Sequence, residues 1–274
     1  GRGDFPTAFG AQVEHIFLNL TDPSPQLPEG ERSTVAHPHP ILGDIKVRQA
    51  LSKAIDRQLL TEIGYGETGR ATCDVVNAPE AFASNTQDCM AQDIEGAKAL
   101  LDEAGWTVGG DGIREKDGRK LQLLFQTSVN PVRQDYQALI KQWWAEIDVG
   151  TELKTVDASV YFGTDPGSPD TINKFYADVE MFTDVYEGTD PGTFMAERAC
   201  SKIPAPANQW QGENTGRFCD PAYDALIDEM GETADPARRA ELAKQMNAML
   251  TTQSMAMLPL TWRGRVSAVS NSLQ

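Results

Sequence analysis

The sequence has few basic residues and no long apolar run. Its 24 Lys and Arg residues stand against 40 Asp and Glu residues, which gives a formal net charge of −16. Nucleic-acid binding through phosphate contacts needs a basic face, and the chain is rich in Lys and Arg only at Arg114–Lys120. No stretch approaches the roughly 20 uninterrupted apolar residues of a membrane-spanning helix. The sequence thus indicates a globular protein with an acidic surface, as is common among secreted and periplasmic proteins.

Motifs of common enzymes and cofactor sites are also missing. The sequence contains no Gly-x-Ser-x-Gly, no His-Glu-x-x-His and no Gly-rich phosphate loop followed by Lys. The run Gly109–Gly112 is better explained as a turn. His37 and His39 could together ligate a metal, but no carboxylate partners are evident nearby, which favours a solvated loop. We therefore expect no catalytic residues, no metal and no cofactor.

The four cysteines fall into two local pairs, Cys73 with Cys89 and Cys200 with Cys219. No Cys-x-x-Cys occurs and no His lies near any Cys, which argues against a zinc site. Two disulfides within these pairs are the favoured interpretation, and four buried free thiols are the alternative. Each bridge would contribute on the order of 3 kcal/mol by constraining the unfolded chain, and both imply an oxidising compartment.

The order of predicted elements indicates an α/β fold. A strand at Leu121–Thr127, a helix from Pro131 and a strand at Thr151–Val156 form a βαβ-like unit, which favours parallel pairing. Asp44 is the predicted N-cap of an earlier amphipathic helix. Three Asp-Pro pairs can each cap a helix, with Pro at its first position. They stand at Asp190-Pro191, Asp220-Pro221 and Asp235-Pro236.

Three further features leave alternatives open. Trp210 lies in the polar segment 208–214, where a large aromatic is either a contact residue or packs beneath its loop. The tripeptide Arg2-Gly3-Asp4 matches a cell-adhesion motif, although three residues recur by chance. Asn19-Leu20-Thr21 is a glycosylation sequon, which is informative only if the host glycosylates.

Several segments together resemble the peptide-type (family 5) solute-binding proteins of ABC importers. The segment 44–57 is similar to the "VRQAL-x-x-AIDR" signature of that family. Ala97–Trp106 with the Asp-Gly turns that follow it, Cys219–Asp224 and Met257–Leu260 match later landmarks of the same family. Full members are roughly twice this long and carry an N-terminal export signal, so the chain resembles the C-terminal half.

The resemblance implies a periplasmic-binding-protein-like lobe with a mixed, mostly parallel sheet flanked by helices. Residues 1–21 are then a strand of the first lobe plus hinge, 22–255 the second, ligand-binding lobe, and 256–274 return strands towards the first lobe. The resemblance also implies the function. Two lobes would close around a peptide or a related small solute, and the protein would deliver this solute to a membrane permease. A monomer in the periplasm, or one anchored outside the cell, is expected. The alternative is a secreted hydrolase whose catalytic residues lie in the missing N-terminal half.

The resemblance places the ligand contacts in the loop after the strand Asp178–Thr183. In peptide-binding relatives an Asp before an Asp-Pro landmark pairs with the α-amino group of the peptide. Spacing back from Asp190-Pro191 puts Glu187 at this position, with Asp184 as the nearest alternative. The predicted ligand-binding residues are Asp184, Tyr186, Glu187, Gly188 and Trp210. In the competing interpretation these carboxylates only solvate the loop and cap the helix that follows.

Overall fold

A six-stranded mixed sheet with helices on both faces forms the centre of the computed structural model, which describes residues 3–4, 6–28, 30–186 and 188–270. The strands are β1 (Gly3–Asp4), β2 (Thr7–Leu18), β3 (Gly69–Ala71), β4 (Thr107–Val108), β5 (Arg114–Lys116), β6 (Arg119–Lys120), β7 (Gln122–Ser128), β8 (Gly150–Val156), β9 (Val179–Val185), β10 (Met257–Val266) and β11 (Val269–Ser270). The α-helices are α1 (Ile45–Lys53), α2 (Arg57–Tyr65), α3 (Ile94–Glu103), α4 (Pro131–Glu146), α5 (Ala158–Tyr161), α6 (Gly192–Ala196), α7 (Pro221–Glu232) and α8 (Pro236–Ala248).

The main sheet has the strand order β3-β10-β2-β9-β7-β8. The strands β7, β8 and β9 pair in parallel, and the crossover from β7 through α4 to β8 confirms the predicted βαβ unit. The other three pairings, β9 with β2, β2 with β10 and β10 with β3, are antiparallel. The predicted α/β class and mixed sheet are confirmed, but the predominance of parallel pairing is wrong. Two strands far apart in sequence, β2 and β10, enter the sheet as antiparallel neighbours.

Each face of the sheet is covered by its own apolar core. One core joins the sheet to α1, α2, α3 and α4, and includes Leu51, Tyr136 and the fully buried Trp144. The other joins it to α5, α6, α7 and α8, and includes Phe17 and Phe182. Side chains alternate between the faces of a strand, so the buried strand β2 contributes Ile16 to the first core and Phe17 to the second.

Helix starts follow the predicted capping residues. Asp44 accepts a hydrogen bond from the amide of Lys46 (2.9 Å), which confirms it as the N-cap of α1. Asp220 and Asp235 cap α7 and α8 in the same way, each with Pro at the first helical position. Asp190 also accepts an amide hydrogen bond, from Gly192, but α6 begins at that glycine rather than at Pro191.

Both predicted disulfides are present. Cys73–Cys89 and Cys200–Cys219 have Cα–Cα separations of 5.7 and 4.7 Å, and no cysteine of the chain is free. The first bridge ties the irregular segment after β3 to the segment that precedes α3. The second ties the end of α6 to the start of α7.

The strands β2 and β10 run beyond the main sheet as a two-stranded ribbon. The last pairing of β2 with β9 is Gln12 with Val185, whereas Thr7–Phe9 pair only with Gly264–Val266. A register shift between Arg263 and Gly264 marks the start of the ribbon. At Gly264 an added Cβ would collide with Thr7 and lie 3.0 Å from the carbonyl oxygen of Thr68, so this close crossing requires glycine. The short strands β1 and β11 pair with each other in a separate small sheet.

Candidate functional site

Three parallel strands end together at one edge of the main sheet. The strands β7, β8 and β9 end at Ser128, Val156 and Val185, and we call the edge formed by these ends the carboxyl edge. Ligands of open α/β sheets gather outside such an edge, because the loops that follow the strands project there. Since β2 is antiparallel to β9 and β10 to β2, Gln12 and Arg263 lie at the same edge.

Large apolar side chains are exposed in the loops of the carboxyl edge. Val129, Phe162 and Val185 are 57%, 45% and 43% exposed, and each follows or ends one of the three parallel strands. Exposed apolar side chains that cluster in this way mark surfaces that bind a ligand or a partner. The edge therefore offers an apolar contact surface rather than a purely solvated rim.

A buried ionic network lies directly below this surface. Glu14 is fully buried, and its Oε1 accepts a hydrogen bond from Nε of Arg133 at 2.6 Å. Its Oε2 accepts hydrogen bonds from the hydroxyls of Thr183 and Tyr65 and lies 3.7 Å from Arg263. The carboxylate thus joins β2 to β9, α2, α4 and β10. Neither its role nor that of its partners was predicted, although an acid inside the apolar strand 13–20 was a visible signal.

Asp184 is engaged inside the protein and is not a free ligand contact. Its carboxylate is paired with the guanidinium of Arg198, which is 3% exposed. Arg198 also donates to the carbonyl oxygen of Glu213 (2.7 Å) and lies over the ring of Phe17 at 5.2 Å. An internal cation thus already binds this carboxylate, and a contact of Asp184 with an ammonium group of the ligand stays a prediction.

The far end of the same loop is fixed by a second arginine. Both carboxylate oxygens of Asp190 accept hydrogen bonds from Arg239 on α8, each at 2.7 Å. The Arg239 guanidinium holds the pKa of Asp190 below its usual range. Because Asp184 and Asp190 are both bound by arginines, the loop is anchored at its two ends.

The remaining predicted contacts of this loop have different outcomes. Tyr186 is 9% exposed and packs against the ring of Phe194 at 5.3 Å, so it belongs to the second core. Gly188 is exposed with a φ of +91°, a conformation in which any side chain would be strained. Glu187 lies outside the described residues, and its contact with a ligand stays a prediction.

Trp210 packs beneath its own loop. It is 7% exposed, its ring meets the ring of Tyr176 edge-on at 5.9 Å, and its carbonyl oxygen accepts a hydrogen bond from Asn173. These contacts join it to the segment before β9 rather than to the loop that follows this strand. Of the two interpretations of Trp210, the structure supports packing beneath the loop, and its contact with a ligand stays a prediction.

The other motifs also have structural explanations. Asn19 of the sequon is fully buried and donates to the carbonyl oxygens of Phe175 and Ala177, so it is inaccessible to glycosylation in the folded protein. His39 is held by Asp178 at 2.8 Å and accepts the amides of two following residues. No three His, Cys, Asp or Glu side chains within the described ranges are grouped as metal ligands. Arg2 of the adhesion tripeptide lies outside those ranges.

A half-buried acid next to the Asp184–Arg198 pair leads to a pH-dependent prediction. Burial raises the pKa of Glu197 to about 7, and the carboxylates of Asp184 and Glu213 add to this against the opposing effect of Arg198. The folded-state pKa is above the unfolded value, so the contribution of this group to stability is complete below about pH 4.5 and is lost as the pH rises through about 7.

We therefore expect Glu197→Gln to be more stable than the parent chain at pH 8 and equally stable at pH 4. Because the side chain is 33% exposed, solvent screening reduces the expected gain at pH 8 to about 1 kcal/mol, or about 2–4 °C in Tm. Thermal unfolding at both pH values measures this gain. The variant Asp228→Asn, at an exposed position, is the control, and its effect on stability should be the same at both pH values. An equal effect of Glu197→Gln at both pH values would contradict the assignment.

Comparisons with known proteins agree with this architecture. The model of the family "Bacterial extracellular solute-binding proteins, family 5 Middle" matches residues 5–200, and the chain belongs to that family. It is 27% identical over 242 residues to the oligopeptide-binding protein OppA of Mycobacterium tuberculosis (strain H37Rv), covering 86% of this chain and 38% of OppA. It is 28% identical over 221 residues to a putative ABC transporter peptide-binding protein of Brucella ovis, covering 79% of this chain and 39% of that protein.

Solved structures show the same fold. The oligopeptide-binding protein of Thermus thermophilus, complexed with a pentapeptide, superposes with a TM-score of 0.79 at 23% identity, covering 99% of this chain and 44% of that one. NikZ of Campylobacter jejuni, in complex with Ni(L-His), gives a TM-score of 0.77 at 18% identity, covering 99% of this chain and 49% of that one. The chain thus spans less than half the length of these relatives. No helix in the described ranges is long and apolar enough to cross a membrane.

Proposed function

We propose that this chain forms one lobe of the extracytoplasmic solute-binding component of an ABC importer. The carboxyl edge contacts the solute, and the first lobe closes over the solute from the other side. Closure of two lobes around a ligand is a common hinge movement. The solute is a peptide or a related small molecule, since the relatives from Mycobacterium and Brucella are named for peptide binding. Delivery to a membrane permease, from the periplasm or an anchored position outside the cell, completes the proposal.

The observation that carries this proposal is the carboxyl edge itself. It combines exposed apolar side chains, a loop fixed at Asp184 and Asp190, and a buried ionic network beneath it. These features suit a surface that contacts a ligand without reacting with it. One lobe provides only one side of a binding site, and the relatives contain more chain than this lobe.

We also infer where the first lobe is attached to this one. Gln12–Leu18 pair with β9 inside the main sheet, and this pairing supports assigning that part of the segment 1–21 to the same lobe as residues 22–255. The start of β10 likewise belongs to the main sheet. We place the connection to the first lobe in the ribbon beyond Gln12 and Arg263, where β2 and β10 pair with each other and with no other described strand.

A comparison of binding affinities tests the proposal. We expect the 274-residue chain to bind a tripeptide with a free amino terminus at least tenfold more weakly than the full-length protein that carries both lobes. The reason is that one lobe supplies only part of the contacts that offset desolvation and ordering of the ligand. Titration calorimetry of both proteins measures this, with mass spectrometry of the recovered peptide. Equal affinities would contradict the two-lobed site, and cleaved peptide would support the alternative of a hydrolase.

A further inference from the structure

A cavity of about 290 Å³ lies away from the carboxyl edge, near the start of β10. It is enclosed between α1, α3, the Cys73–Cys89 disulfide and the segment that leads into β10. Leu100, Met255 and Pro259 provide much of its apolar lining. The volume is at the lower limit of ligand pockets, which range from about 300 to 1,000 Å³, so the cavity suits a small molecule.

A buried arginine without an acidic partner borders this cavity. Arg57 is 1% exposed, and it donates hydrogen bonds to the carbonyl oxygens of Pro259, Ser52 and Cys89 and to the Ser52 hydroxyl, at 2.7–3.1 Å. A guanidinium has five N–H groups, and these bonds use four of them. The fifth, on Nη2, has no acceptor among the described residues. All of the acceptors are neutral.

Other buried arginines of the lobe have acidic neighbours. Arg133 and Arg198 contact the carboxylates of Glu14 and Asp184 directly. Burial lowers the pKa of both Arg57 and Arg48 to about 10; a carboxylate, that of Asp44, opposes the shift at Arg48, and none does so at Arg57. A buried cation with only neutral partners favours the approach of an anion.

The polar part of the lining agrees with an anionic ligand. Lys53 and Arg57 are its cations and the exposed Asp88 is its acid. Lys53 is paired with Asp93 at 3.0 Å, so Arg57 is the cation of the lining without a carboxylate in contact. Gln49 and Thr252 also line the cavity, and their side chains make no hydrogen bond with any described residue. They can donate to a bound oxyanion. The cavity therefore combines an unneutralised cation, free polar groups and an apolar lining.

We propose that this cavity binds a small aliphatic monocarboxylate of about eight non-hydrogen atoms, with the carboxylate at Arg57 and the hydrocarbon chain against Leu100 and Met255. This site is separate from the carboxyl edge, and it does not depend on the proposed transport function. The disulfide forms part of its lining, and the hydrogen bond from Arg57 to Cys89 fixes the segment that covers it.

Titration of the 274-residue chain with hexanoate, followed by NMR chemical shifts, tests the proposal. We expect saturable binding in the millimolar range with shifts around the cavity, and at least tenfold weaker binding of hexanamide, which has the same shape but no charge. Asp88→Asn should tighten hexanoate binding by about twofold, because it removes a like charge from the rim. No saturable binding, or equal affinities for hexanoate and hexanamide, would overturn the proposal.

Two variants that fill the cavity locate the site. Leu100→Trp and Thr252→Trp should each abolish the shifts caused by hexanoate, with the fold checked by circular dichroism. Leu139→Trp is the matched control, because Leu139 is another half-buried leucine that packs on the same core and lies outside the cavity. Hexanoate binding that survives in both folded filling variants would place the site elsewhere and contradict the proposal.

Discussion

Glu14→Gln should lower the free energy of unfolding by about 3–5 kcal/mol, the usual effect of removing one partner of a buried ion pair. Glu14 is fully buried, and its carboxylate faces the guanidinium groups of Arg133 and Arg263 at 2.6 and 3.7 Å. The neutral amide of the glutamine cannot balance the charges of the two guanidinium groups. Its NH₂ group would also face the hydroxyls that donate hydrogen bonds to Oε2 of Glu14 in the parent chain. A loss of this size is a large part of the total stability of a typical domain.

Urea unfolding at pH 7 measures this effect, provided that the m-value does not change. The double variant Glu14→Gln/Arg133→Met should be more stable than the sum of the two single effects predicts, because removing both partners leaves fewer unpaired charges. Glu103→Gln, which breaks the exposed pair with Lys46, is the control and should change stability little. If Glu14→Gln were as stable as that control, the network would not be holding the strands together.

Glu187→Gln is expected to weaken the binding of a peptide with a free amino terminus at least tenfold, about 1.4 kcal/mol, in the protein with both lobes. The choice of this residue comes from the resemblance, and its contact with the ligand is a prediction. Asp184 and Asp190, the other carboxylates of the loop, are bound by Arg198 and Arg239. A charge pair in a closed, partly desolvated cleft contributes more than the about 0–1 kcal/mol of an exposed pair.

The test compares trialanine with its N-acetylated form by calorimetry. Glu187→Gln should reduce the affinity for free trialanine and leave the affinity for the acetylated peptide unchanged, since the latter has no ammonium group. Glu115→Gln, an exposed acid of the small sheet β4-β5-β6, serves as the matched control. An unchanged dissociation constant for free trialanine in Glu187→Gln would mean that the amine is bound by another residue.

The resemblance and the local patterns together predicted much of the fold. The capping role of Asp44, Asp220 and Asp235 follows from residues within one turn of each helix. The cysteine pairs are separated by only 16 and 19 residues, so their proximity required little knowledge of the tertiary structure. The family was predicted from several such local segments and is confirmed by a match to residues 5–200.

The candidate site was predicted less well, because its contacts join distant parts of the chain. The pairing of Asp184 with Arg198, the burial of Tyr186 and the packing of Trp210 beneath its loop depend on which elements are neighbours. The residues around Trp210 in the sequence are polar, and nothing in this local sequence indicates that its ring packs against the ring of Tyr176.

Helix starts, the βαβ unit, the disulfides and the family have local causes and were predictable from the amino-acid sequence. The tertiary structure was needed to show that most pairings of the main sheet are antiparallel and that Glu14 and Arg133, 119 residues apart, form a buried pair at the carboxyl edge. It also decided that Arg57, at the start of α2, lies beside a cavity without an acidic partner. Burial and charge pairing depend on the packing of β2 and β10 beside the other strands, and this packing joins residues that are far apart in sequence. Helix caps and disulfides that close short loops depend on residues that are close together in sequence.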